Sequence, residues 1–111
     1  MSDTARLPTQ LEVGALIRRV GAAGGFASVL HKGEADAGTL LLVLTERGTG
    51  ARVYERMPRA DGSRGWTLAR RENPDDKTEL QEWLARRAAQ DPDLWIVELD
   101  IANAERFIGI T

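Results

Sequence analysis

The chain has 111 residues, 15 basic and 17 acidic, for a formal net charge of −2. That length predicts one domain over residues 1–111, with a core large enough to need no disulfide or metal staple. With no cysteine and a single histidine, a disulfide scaffold, a thiol nucleophile, a zinc ribbon and any site needing two imidazoles from one chain are excluded. The longest apolar run, Leu40 to Leu44, is strand-sized, and no signal peptide is visible. The expectation is therefore a cytoplasmic protein with no membrane contact.

Residues 1–8 read as a flexible start ending in Pro8. A helix is predicted over Thr9–Ala23, because Val13, Leu16, Ile17 and Val20 recur at helical spacing. Thr9 with Glu12 has the form of a capping box, and Gly21, Gly24 and Gly25 supply the stop. Gly14 within it costs about 1 kcal/mol against alanine and suggests close packing on a sheet. Phe26–His31 alternates as a strand, with Phe26, Ser28 and Leu30 on one face. Thr39–Thr45 is a near-continuous apolar strand, expected to be central and covered on both faces. Ala51–Met57 and Trp66–Ala69 are further strands, separated by the hairpin signal Asp61-Gly62. A second helix is predicted with Asn73 as cap and Pro74 at its first position, carrying Leu80, Trp83, Leu84 and Ala88 as its buried stripe. Asp91-Pro92-Asp93 forces a turn. Leu94–Ile101 is the last main strand, and Phe107–Ile110 reads as a short edge strand. The fold class predicted is α+β: an N-terminal helix, an antiparallel meander of three to four strands, a second helix and a C-terminal strand, in a single sheet with both helices on one face.

Phe26, the loop Gly33-Glu34-Ala35-Asp36-Ala37-Gly38, Asp61-Gly62 with Trp66, and Asp91-Pro92-Asp93-Leu94-Trp95 followed by Glu98 occur in an order and spacing that resembles domain-of-unknown-function family 1491, a group of small bacterial proteins. The resemblance spans about Leu11 to Phe107. The chain departs from the pattern at Glu34, where aspartate is expected, and in its tail from Ile101 to Thr111. The resemblance implies a grouping and transfers no reaction and no catalytic residues.

The charge is sided. Residues 47–71 hold seven arginines against Glu55 and Asp61, whereas residues 72–111 hold ten acidic and four basic groups. Either the two segments neutralise each other within the fold, or the arginines present a face to a polyanion. Arg52, Tyr54 and Arg56 share one strand face, and with Trp66 they have the composition of an interface hot spot. Those four are the candidate partner-binding residues, and Trp66 is the tryptophan expected to be exposed. Trp83 and Trp95 are expected in the core.

The acidic candidates are Glu34 and Asp36 in the first loop, Asp91 and Asp93 in the second, and Glu98 on the last strand. Two carboxylates and a glycine suit a hard cation, but such a loop also serves as a tight connection whose acids cap N–H groups. Asp91 and Asp93 read as a metal or basic-partner pair, or as an Asx turn closing a helix. Glu98, with Asp100 two residues on, is a functional acid if buried, or else a salt-bridge partner of Arg52 or Arg56. His31 with Glu34 or Asp36 has the elements of an acid–base dyad, without a nucleophile beside it. No cofactor, metal ligand set or catalytic residue is assigned. The reading that follows is a small non-catalytic binding or regulatory module acting through protein–protein contacts, including a homodimer through a sheet edge near Trp66. Weak nucleic-acid binding through the arginine-rich meander 47–71 is one alternative. A small enzyme or metal-binding protein using the loop carboxylates is the other.

Overall fold

A computed structural model of the chain describes residues 7–58 and 60–110. Most of the flexible start expected over residues 1–8, together with Arg59 and Thr111, lies outside the described residues. In chain order the elements are α1 (Thr9–Ala22), β1 (Phe26–His31), β2 (Leu40–Glu46), β3 (Thr49–Pro58), β4 (Arg64–Arg71), α2 (Thr78–Gln90), β5 (Trp95–Asp100) and a 3₁₀ turn, Ala104–Ile108. The α+β class stands.

The five strands form one sheet in the order β1-β5-β2-β3-β4. The expected antiparallel meander survives only in β2-β3-β4. β5 is inserted between β1 and β2, antiparallel to the first and parallel to the second. The reason lies in β5 itself. Trp95, Val97 and Leu99 are buried on one face and Ile96 on the other, next to Leu94. A strand apolar on both sides belongs in the sheet interior. β1 is sparsely covered along its length and takes the edge.

The helices lie on opposite faces, correcting the expectation that they share one. Leu40, Leu42 and Leu44 of β2 pack with Val13, Leu16 and Val20 of α1. Leu41 and Val43 pack with Leu80 and Leu84 of α2. Alternate side chains of a strand point to opposite faces, so the continuous run Leu40–Leu44, buried throughout, demands a layer on each side. A single helical layer would have left half of it in water, forgoing about 1.5–3 kcal/mol per side chain.

Three local expectations also change. Thr9 does not cap α1 through a capping box. Pro8 stands at the cap, the Thr9 hydroxyl donates to the Gly38 carbonyl (2.9 Å), and Glu12 is drawn to Arg56. The Asn73 carboxamide accepts from the Asp75 N–H (2.9 Å) within a separate turn, so α2 begins only at Thr78. The tail is not an edge strand. Asn103 adopts left-handed backbone (φ 55°), and the 3₁₀ turn after it lays Ala104, Phe107 and Ile108 on the α1-side core. Gly14 approaches no strand. A β-carbon there would meet only the Arg18 guanidinium.

Candidate interaction surfaces

The two loops that carry the sequence resemblance form a single junction. The Glu34 N–H donates to the Asp93 carbonyl (3.0 Å), the Trp95 indole N–H to the Glu34 carbonyl (2.7 Å), and the Trp95 N–H to the Thr39 carbonyl (2.8 Å). A β-carbon on Gly33 or Gly38 would overlap the Asp93 carbonyl oxygen, so both positions need glycine for close approach. The same loop satisfies the start of α1. Thr9 and Gln10 donate their N–H groups to the Asp36 and Ala35 carbonyls, at 3.2 and 2.9 Å, and so provide partners for N–H groups that no helix can satisfy internally.

One acid of each loop, Glu34 and Asp91, is occupied by backbone. The Glu34 carboxylate accepts from the Asp36 and Ala37 N–H groups, at 3.0 and 2.9 Å. Those bonds hold its carboxyl below the usual glutamate range. Asp91 accepts from the Asp93 N–H at 3.1 Å, an Asx turn. Glu98 accepts from the buried Thr45 hydroxyl (2.9 Å). It lies on the α2 side of β5, in alternation with Ile96, whereas Arg52 and Arg56 lie on the α1 side of β3. The salt bridge expected between them is therefore not made. No group of three or more His, Asp or Glu side chains is placed to hold a metal ion among the described residues. His31 lies apart from both loop carboxylates in its bonding, since its Nδ1–H donates to the Leu94 carbonyl at 2.6 Å.

Arg52, Tyr54, Arg56 and Trp66 do share one face, and each is engaged within the fold. Arg52 grips Glu105 with two parallel bonds (2.8 and 2.7 Å), and the Tyr54 hydroxyl reaches the same carboxylate at 3.4 Å. The Arg52 bonds hold the Glu105 carboxyl below its ordinary range. Burial, reinforced by Glu105, pushes the Tyr54 hydroxyl above its own. Arg56 holds Glu12 of α1 in the same two-pronged way and stacks over Trp66 at 4.9 Å. Trp66 is consequently half-buried rather than exposed. Trp95 is buried as expected, but Trp83 is only half-buried, with the guanidinium groups of Arg70 and Arg87 each 5.4 Å from its ring. Arg87 bonds Glu55 at 2.9 Å and Arg70 reaches Glu79 at 3.3 Å. Arg52 and Arg70 of the basic segment thus pair with Glu105 and Glu79 of the acidic one, and Arg56 with Glu12 of α1.

A different surface stands uncommitted. β1 is an edge strand whose sequence, Phe-Ala-Ser-Val-Leu-His, carries no charged residue and no proline. Phe26, Val29 and Leu30 are 76%, 42% and 50% exposed. A bulge between Val29 and His31 inserts Leu30 as an extra residue and turns His31 to the α2 face, opposite Ile96. Leu30 and His31 there border a groove of about 390 Å³, completed by Leu84, Ala85 and Ala88 of α2 and Ile96 of β5. Alternation along the sequence puts Phe26 and Leu30 on one face but does not show which edge of the sheet they line. The absence of any charge in β1, set against the arginines of β4, was the available signal for an exposed apolar edge.

Comparison with known proteins adds the family. The model of a protein family of unknown function, DUF1491, matches residues 7–109. The chain belongs to the DUF1491 family. It is similar to a DUF1491 protein from Caulobacter crescentus CB15 solved by crystallography, at 35% identity and a TM-score of 0.80, covering 94% of this chain and 96% of that one. An NMR structure of a DUF1491 protein from the same organism gives 36% identity, a TM-score of 0.77 and 93% coverage of each chain. The solution structure of Atu0922 from A. tumefaciens gives 30% identity, a TM-score of 0.73 and 96% coverage of each. No curated protein matches. Among the described residues no helix is long and apolar enough to cross a membrane.

Proposed function

We propose that this DUF1491 protein is a non-catalytic cytoplasmic binding module that contacts protein segments along β1, by strand addition at the sheet edge. One observation carries this reading. Phe26, Val29 and Leu30 are exposed on an uncharged edge strand that borders an apolar groove against α2. An edge strand presents a row of backbone N–H and C=O groups, and folds that must stay unpaired guard it with charge or proline. β1 has neither. In strand addition, main-chain bonds supply affinity and pockets for alternate side chains supply selectivity. Here the groove beside Leu30 is such a pocket. The arginine face supports the reading indirectly. Arg52 and Arg56 each already commit one guanidinium edge to a carboxylate, so a phosphate backbone would have to compete with Glu105 and Glu12.

The test is selection from a library of extended peptides, followed by titration of the isotope-labelled protein with the selected sequence. The expected peptides alternate apolar residues, and the amide shifts that move are those of Phe26–His31 and of Ala85 and Ala88. Leu30→Lys should abolish the response. Shifts confined to Arg52, Arg56 and Trp66 would move the contact to the arginine face and end this reading.

A further inference from the structure

Resting on that reading, we infer that the segment added along β1 is β1 of a second copy, so that the chain works as a two-fold dimer with a ten-stranded sheet. Charge is the first ground. A self-contact places identical edges against each other, so any charge on the edge meets its own sign. β4, the opposite edge, would bring Arg64, Arg70 and Arg71 of each copy to one short contact. β1 brings no charge at all. With a net charge of −2 for the whole chain, long-range repulsion between copies is weak.

Register is the second ground. In an antiparallel pair, directly opposed residues share a face, so a two-fold axis passes through a residue rather than between two. With the axis at Ser28, Ser28 meets its own copy across a small gap, and Ala27 falls opposite Val29. Phe26 falls opposite Leu30 of the second copy, at the bulge. Phe26 lies on the α2 side, since it pairs with Asp100, and Leu30 lines the groove on that same side. Each ring, the most exposed large apolar side chain of the described residues, is thereby delivered to the mouth of the other copy's groove. The second copy completes the site.

Size is the third. A stable interface takes about 800 Å² from each partner, roughly an eighth of the 6621 Å² surface of the described residues. A six-residue strand spans only about 20 Å. Filling both grooves with the Phe26 rings extends the contact onto α2 and makes the dimer depend on that residue.

The chain has no cysteine, which permits a clean test. Ser28→Cys places two thiols at the axis, within the range of Cα separations that a disulfide spans. Under mild oxidation it should cross-link into a covalent dimer at least an order of magnitude more completely than Leu68→Cys on β4. Sedimentation equilibrium of the native sequence should show a monomer–dimer equilibrium, which Phe26→Ala and Ser28→Lys each shift to monomer. Both side chains are exposed, so the melting temperature of the monomeric variants reports whether they remain folded. Two outcomes overturn the inference: a native chain that stays monomeric to high concentration, or a dimer that Ser28→Lys and Phe26→Ala leave intact while Leu68→Cys cross-links. A monomer that still takes library peptides along β1 rejects the second copy as occupant and leaves the binding reading standing.

Discussion

Gly33 and Gly38 are where single atoms decide the most. Each brings its backbone against the Asp93 carbonyl, with no room for a β-carbon. Gly38→Ala is expected to destabilise by about 1–3 kcal/mol, the usual cost of forcing extra atoms into a packed contact. Urea unfolding monitored by tryptophan fluorescence checks this directly, because Trp95 is bonded to the same loop. The carboxylates set a pH dependence of known sign. Glu34 and Glu105 are both held below their ordinary range in the fold. Their contribution is therefore complete above the unfolded glutamate pKa and is lost as pH falls through the lowered folded values. Unfolding free energy should decline on acidification below about pH 4.5, and Glu105→Gln should flatten that decline. An unchanged acid limb in the variant would mean that the Arg52–Glu105 pair contributes nothing. At this scale much was legible in the sequence. The Asx turn at Asp91, the backbone-capping role of Glu34 and the burial of Trp95 all follow from local chemistry. The partners of Arg52 and Arg56 do not, because Glu105 and Glu12 are brought there by a 3₁₀ turn and a helix that only the tertiary fold positions.

Among the elements, β2 carries the most readable information. Its five consecutive buried leucine and valine side chains require cover on both faces, and that excludes two helices on one side. Two separate clusters result, one under α1 and one under α2. Leu16→Ala and Leu84→Ala should each cost about 2–5 kcal/mol. Because the sheet separates them, the double variant should lose the sum to within about 0.5 kcal/mol. A large coupling energy between them would argue for a single-layer core. The start of α2 and the tail depart from the pattern of their sequence for one reason. Asn73 and Asn103 bond or bend the local backbone in more than one way, and residue type does not select among an N-cap, a turn and a left-handed bend. Nor does periodicity reveal strand order. β1 and β5 are joined across at least 65 residues, from His31 to Ile96 and beyond, by pairing that leaves no mark on either strand's own pattern beyond how many of its faces are apolar.

For the whole molecule, charge and apolar surface are distributed in complementary ways. The arginine-rich half of the sheet is braced by Glu12, Glu105, Glu79 and the Arg87–Glu55 pair, and it keeps the β4 edge cationic. The other end of the sheet carries no such guard and exposes Phe26, Val29 and Leu30. An asymmetry of this kind directs association to one edge and away from the other. Introducing a charge on β1 should therefore raise solubility at high concentration without lowering the melting temperature, whereas neutralising Arg64 and Arg71 should lower solubility. Light scattering against concentration distinguishes the two. The most direct measurement is residue-resolved amide hydrogen exchange at low and high protein concentration. Protection of Phe26–His31 is expected to rise with concentration while that of Arg64–Arg71 stays constant. Protection that rises along β4 instead, with β1 unchanged, would contradict it.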